Sequence, residues 1–136
     1  MLKCVPGLLI TGGQGAATKV RVVNPRSEQL CELPDLPDER TAHTFCGQLL
    51  CGGLSSERSC LKFDGENFTR AEVFLVEARR YHLCWSVGED VMLLGGDKSD
   101  KTTEIVKSDG SFSSPSFELR HPVRWEREDE SYIILN

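Results

Sequence analysis

Three histidines are the residues whose spacing first suggests chemistry in this sequence. They are His43, His82 and His121, and each lies 39 positions from the next. Imidazole is the commonest metal ligand in proteins, but two ligands of one ion must come within about 4 Å of each other. Equivalent positions on separate repeats usually lie farther apart. We therefore expect no metal site and interpret the histidines as repeated structural positions.

Arginines accompany the first two histidines. Arg40 and Arg79 each stand three residues before a histidine, whereas Glu118 holds that place before His121. Guanidinium groups bind carboxylates through two parallel hydrogen bonds, so arginines on loops suit an acidic partner. For Arg40 and Arg79 the recurrence favours a structural role instead, in which they bond backbone carbonyls. The candidate partner-binding residues are Arg40, Arg58, Arg79, Arg80 and Arg120.

No catalytic motif accompanies these residues. The sequence has neither a G-x-S-x-G nucleophile elbow nor a P-loop. Tyr81 and His82 suggest a copper centre, but neighbours on a strand point to opposite faces. We expect no catalytic residue and no cofactor. The net charge of −5 argues against binding to nucleic acid or to an anionic membrane.

Six cysteines leave the redox state open. They form no CxxC pair, and the first interpretation is buried, reduced thiols in the cytoplasm, including Cys46 and Cys84. Secretion is the alternative, although Pro6 and Gly7 interrupt the apolar N-terminal stretch. A disulfide between Cys51 and Cys60 is a second alternative, because strands flanking a polar loop would bring the two residues opposite each other.

The elements that position these residues repeat about every 40 residues. Each unit has an apolar run, two glycines, a polar loop, a second apolar segment, a turn and a third segment. The segments are short and rich in Val, Ile, Leu and Phe, which is typical of strands. Glycines at a strand end permit positive φ and close packing. The double glycines are Gly12-Gly13, Gly52-Gly53 and Gly95-Gly96.

This order of elements, completed by the Arg-x-x-His element, resembles the kelch repeat. The resemblance covers nearly the whole chain, but the usual aromatic positions hold Val23, Phe63, Leu30 and Phe68. It implies an all-β fold: about three blades of four-stranded antiparallel sheet from a β-propeller. A WD40-type propeller is the alternative, although neither Trp85 nor Trp125 precedes an aspartate.

The resemblance also implies the domain organisation and a function. Residues 1–136 would form a single partial propeller with units at about 1–40, 41–80 and 81–118, and a partial unit at 119–136. We expect a fragment of a longer propeller or a chain that closes with a second copy. The implied function is a protein-interaction scaffold that binds an acidic loop or peptide through loops on one face. A propeller enzyme and a carbohydrate-binding propeller are the alternatives.

Overall fold

The computed structural model describes residues 7–13, 15–54, 57–97 and 99–124, and every regular element in them is a β-strand. Within these ranges there is no helix long and apolar enough to cross a membrane. The strands are β1 (Leu8–Thr11), β2 (Val20–Asn24), β3 (Gln29–Leu33), β4 (Thr44–Cys46), β5 (Leu49–Cys51), β6 (Ser59–Phe63), β7 (Phe68–Phe74), β8 (Leu83–Val87), β9 (Asp90–Leu94), β10 (Thr103–Val106) and β11 (Ser113–Pro115).

The strands form three antiparallel sheets in chain order. The first sheet has the order β1-β2-β3, the second β4-β5-β6-β7 and the third β11-β10-β9-β8. Within each sheet, every strand therefore pairs only with strands that are adjacent to it in the sequence. The prediction of an all-β chain with three small antiparallel sheets is confirmed. The second and third sheets have the four strands expected of a unit, and the first has three in the described part of the chain.

Short polar side chains close the turn that follows the middle segment of each unit. The side-chain Oδ1 of Asn24 accepts a hydrogen bond from the backbone N–H of Arg26 at 2.9 Å. Asp64 Oδ1 accepts in the same way from Glu66 at 2.9 Å, and Asp109 Oδ1 accepts from Ser111 at 3.0 Å. In each bond the side-chain oxygen takes the place of a backbone carbonyl as the acceptor in the turn, which explains why Asn and Asp occupy these positions. Hydrogen bonds from the backbone N–H groups of Asn67 and Glu66 lower the pKa of Asp64, and those from the hydroxyl and the backbone N–H of Ser111 lower the pKa of Asp109.

Two apolar cores separate the three sheets. Leu50 and Leu61 of the second sheet pack with Val20 and Val22 of the first. Leu49 of the second sheet points to its other face and packs with residues of the third, among them Val91, Leu93 and Val106. Because side chains alternate along a strand, the second sheet buries both faces between its neighbours.

Disulfides replace the free thiols expected from the sequence. Cys46 of β4 is bonded to Cys84 of β8, with 6.1 Å between the Cα atoms. Cys51 and Cys60 lie directly opposite each other on β5 and β6 and form the cross-strand disulfide considered as an alternative. No described cysteine is free. The expectation of buried thiols at Cys46 and Cys84 is therefore wrong, because the packing of the second sheet on the third brings β4 beside β8.

Candidate partner-binding face

The double glycines hold the three sheets together through backbone hydrogen bonds. The N–H of Gly13 donates to the carbonyl of Arg40 at 3.1 Å, and the N–H of Gly53 donates to the carbonyl of Arg79 at 2.9 Å. Arg40 and Arg79 each lie in a linker between consecutive sheets. Gly52 has a φ of 70°, and a Cβ at this position would overlap the carbonyl oxygen of Arg79. Only glycine combines this backbone conformation with so close an approach.

These bonds define one end of the molecule, which we call the glycine face. It comprises the loops that follow the double glycines, at 12–19, 52–59 and 95–102, and the linkers at 34–43, 75–82 and 116–124. Each loop is bonded to a linker at three points that recur in register. Residues 36 and 18, 75 and 58, and 119 and 101 form one such set of backbone bonds. Hydrogen bonds to the linkers therefore hold the described parts of these loops in place.

Arg40 extends from the first linker into the second sheet. Its side chain is completely buried. Nη1 donates to the backbone carbonyls of Gly52 at 3.0 Å and Ser59 at 2.8 Å, and Nε donates to Asp38 Oδ1 at 2.8 Å. The backbone carbonyl of the same residue accepts from Gly13 of the preceding unit. Arg40 thus links two neighbouring sheets, and we call this arrangement an arginine clamp.

Arg79 forms the same clamp between the second and third sheets. Its buried Nη1 donates to the carbonyls of Gly95 at 2.8 Å and Thr102 at 3.1 Å. Its Nε donates to Glu104 Oε1 at 2.7 Å, in an ion pair whose two side chains are fully buried. Arg40 and Arg79 are consequently not available to a partner. They make the carbonyl contacts that their recurrence in the sequence favoured.

Glu104 is a buried charge that the sequence analysis did not single out. Its carboxylate accepts from the backbone N–H of Val76 at 2.8 Å, from Ser113 Oγ at 2.6 Å and from Arg79. Its position on β10 was a usable signal. Glu104 stands two residues before Val106, so the alternation of a strand places it on the same buried face.

The third unit departs from the predicted register. The carbonyl bonded by Gly96 belongs to Val123, at 2.8 Å, so Val123 occupies the place of Arg40 and Arg79. We expected Glu118 in that place and His121 as the third structural histidine. His121 is exposed and lies two residues before Val123, whereas the other histidines follow their arginine by three. Its spacing of 39 residues therefore does not reflect an equivalent position.

His43 and His82 are the last residues of their linkers, and their uncharged rings lie against Gly12 and Gly52. His82 Nε2 is hydrogen bonded to Thr44 Oγ1 at 2.8 Å, and His43 Nε2 is bonded to Thr11 Oγ1 at the same distance. Burial and the nearby Arg79 cation lower the pKa of His82 to about 3, and burial and Arg40 lower the pKa of His43 to about 4. Among the described residues, no acceptor bonds either buried Nδ1. A proton there would have no partner.

Acid should destabilise the fold through these histidines. An unfolded histidine titrates near 6.5, while His82 in the fold stays neutral down to about 3. Between these values only the unfolded chain binds the proton, so stability is complete above pH 6.5 and falls as the pH is lowered. Lowering the pH from 7 to 5 should cost about 2 kcal/mol for each histidine.

The variant His82→Gln tests this pH dependence. It should be less stable than the wild type at pH 7 but should lose about 2 kcal/mol less between pH 7 and pH 5. Urea unfolding at the two pH values measures the difference. His121→Gln is the matched control, because His121 is exposed. An unchanged pH dependence in His82→Gln would show that His82 is protonated in the fold.

Three of the candidate arginines remain on the surface of the glycine face. Arg58 is exposed, and its Nε donates to the carbonyl of Leu75 at 3.0 Å. Arg80 is partly exposed and pairs with Asp97 at 2.9 Å, which raises the pKa of its guanidinium. Arg120 is exposed, and the described residues provide it with no ion-pair partner. Arg58 and Arg120 are thus better placed than Arg80 to contact a carboxylate.

Lys101 is a further surface cation that the sequence analysis missed. The backbone carbonyl of Lys101 accepts a hydrogen bond from the N–H of Leu119 at 2.7 Å. The carbonyl of Arg58 accepts one from the N–H of Leu75 in the same way, at 2.8 Å. Arg58 and Lys101 therefore hold equivalent positions on the second and third sheets, and both are exposed. Each lies five residues after its second glycine, and this spacing was visible in the sequence. Arg58 therefore has a cationic counterpart in the third unit.

The chain matches no protein-family model and no curated protein. Across residues 7–13, 15–54, 57–97 and 99–124, no three His, Cys, Asp or Glu side chains are grouped as metal ligands would be. The geometry of the glycine face is therefore the feature that indicates a function.

Proposed function

We propose that this chain is a protein-interaction scaffold whose three sheets are consecutive blades of a kelch-like β-propeller. Its glycine face would bind an acidic loop or peptide of a partner protein. The observation that carries the proposal is the pair of exposed cations, Arg58 and Lys101, at equivalent positions on adjacent sheets.

Several features support the propeller arrangement. Each sheet is an antiparallel meander, and the sheets are stacked face to face with apolar cores between them. The first strands of the second and third sheets, β4 and β8, are in contact and are joined by the Cys46–Cys84 disulfide. Sheets that fan out from a common axis would bring their first strands together in this way.

The hydrogen bonds between the loops and the linkers make the glycine face suitable for specific binding. Binding groups commonly lie on loops that a rigid scaffold positions. Arg58 and Lys101 belong to loops whose backbones are bonded to the linkers, so little loop ordering would be needed on binding. The glycine face also carries carboxylates, and one of them, Asp97, already forms an ion pair with Arg80. Selectivity for an acidic segment would consequently come from the placement of the exposed cations and not from net charge.

The double variant Arg58→Glu/Lys101→Glu tests this proposal. The probe is a fluorescein-labelled peptide rich in aspartate and glutamate, and the measurement is fluorescence anisotropy at low and high salt. We expect the wild type to bind more weakly as salt increases and the double variant to lose at least about tenfold in affinity, or about 1.4 kcal/mol.

The matched control is Arg26→Glu/Lys107→Glu, which makes the same change of charge on exposed residues at the opposite end of the sheets. It should retain the affinity of the wild type apart from a small general charge effect. Undiminished binding by Arg58→Glu/Lys101→Glu would disprove the proposed site. Collapse of its thermal transition would mean instead that the two cations are structural. A glycan array and elemental analysis test the alternatives of a carbohydrate-binding or enzymatic propeller.

A further inference from the structure

Among the sheets of the described residues, none covers one face of the first sheet. Leu9, Val22 and Cys31 point toward the second sheet and join its core. The alternate residues point away, and the register aligns Leu8, Val23 and Leu30 in one row across the three strands. Leu8 is 64% exposed and Leu30 is 59% exposed. These side chains form an exposed apolar row on the first sheet, and such a row suits a contact with another apolar surface.

The third sheet has a corresponding open face on its far side. Val91, Leu93 and Val106 pack toward the second sheet. The register aligns Trp85, Met92 and Ile105 in a row that points the other way. Trp85 is 68% exposed. The described residues thus present two apolar faces at the two ends of the same stack.

The open faces carry the positions that form the interfaces inside the molecule. The residue two places before a double glycine packs on the preceding sheet, as Leu50 and Leu93 do. Ile10 holds this position on the open face of the first sheet. The residue three places before packs on the following sheet, as Leu9 and Leu49 do. Met92 holds this position on the open face of the third sheet.

We propose that a second copy of this chain covers both faces, with the third sheet of each copy packed on the first sheet of the other. The open face of the third sheet resembles the first side of the interface between two consecutive sheets of the molecule, and the open face of the first sheet resembles the second side. Two copies related by a two-fold axis would therefore satisfy both faces at once and leave neither open. The pair would contain six sheets, within the range of four to eight blades known for propellers. The inference rests on the proposed propeller arrangement.

The mass of the protein in solution gives the first test. Sedimentation equilibrium over a hundredfold range of concentration should show a species of twice the 15.2 kDa chain. Leu8→Glu and Trp85→Glu each introduce a charge on one open face, and each should halve the observed mass. Phe74→Glu is the matched control, because Phe74 is 75% exposed on the second sheet, away from both faces. It should remain dimeric.

Mixing the two variants distinguishes this arrangement from other dimers. A mixed pair joins the changed first sheet to the changed third sheet at one interface, while its other interface is wild type. An equimolar mixture of Leu8→Glu and Trp85→Glu should therefore regain a dimer that neither forms alone. A symmetric contact between two first sheets or two third sheets would leave one variant dimeric by itself, and that result overturns the proposal.

Two other results would also overturn it: a wild type that is monomeric throughout the concentration range, or one that forms open-ended assemblies. Thermal melting checks that each variant folds, and Leu30→Glu and Val87→Glu replace any variant that does not. The anisotropy measurement with the acidic peptide is independent of these masses. A monomer that binds the peptide would refute the dimer alone, whereas a dimer that does not bind it would refute only the proposed binding site.

Discussion

Replacing Arg79 with methionine should lower the free energy of unfolding by about 3–5 kcal/mol. Methionine fills a similar volume but removes the charge that faces Glu104 across 2.7 Å. The Glu104 carboxylate would stay buried with only backbone and hydroxyl donors, and the carbonyls of Gly95 and Thr102 would each lose one donor. An unpaired buried charge is among the most destabilising changes a protein can carry. Urea unfolding measures the loss.

Arg80→Met is the matched control for Arg79→Met. The two arginines are adjacent, but the pair between Arg80 and Asp97 is partly exposed and solvent screens it. Its removal should therefore cost much less stability than the removal of Arg79. The double variant Arg79→Met/Glu104→Gln should lose less unfolding free energy than the sum of the losses of the two single variants. The second change removes the charge that the first leaves unpaired. A loss below 1 kcal/mol for Arg79→Met would contradict the clamp.

Breaking the Cys46–Cys84 disulfide should cost about 4 kcal/mol. The bond spans 38 residues and joins the second sheet to the third, so it removes much conformational freedom from the unfolded chain. Cys46→Ala and Cys84→Ala each break the same bond. The double variant should therefore be about as unstable as either single variant, whereas independent packing losses would add. Urea unfolding of the three variants gives the comparison.

The state of the thiols provides the control for this experiment. Alkylation of the denatured wild type without reductant should leave Cys46 and Cys84 unlabelled, and prior reduction should expose both, as peptide mass analysis can show. Labelling of both residues without reductant would restore the original expectation of free thiols. In that case the single variants should lose only the small packing contribution of a partly buried cysteine.

The sequence predicted those features that depend on neighbouring residues. The double glycines, the turn in each unit and the short segments rich in Val, Ile, Leu and Phe all depend on residues a few positions apart, whose types constrain φ, turn geometry or burial. These signals were sufficient for an all-β chain of small antiparallel sheets. They also indicated that Arg40 and Arg79 would bond backbone carbonyls, since both recur at the same place relative to the linker.

Features that depend on how the sheets pack were not predictable in the same way. The bond from Gly96 selects the carbonyl of Val123, and every residue type has a carbonyl, so the side chains there gave no signal. The evenly spaced His121 was therefore misleading. The Cys46–Cys84 bond and the Glu104 ion pair both cross between two sheets. Identifying them required the arrangement of the sheets, which no local pattern contains.

The arginine clamp has a consequence for how such a chain can evolve. Each clamp belongs to a linker and joins only the sheet before it to the sheet after it. A gene duplication that copies one whole unit would carry its own clamp and would recreate the same two junctions, without changes elsewhere. Selection could then alter the loops of one unit while the others keep the architecture. Modules that interact only with their nearest neighbours lengthen or shorten in whole units, and here Arg40 and Arg79 mark the two boundaries between the three sheets.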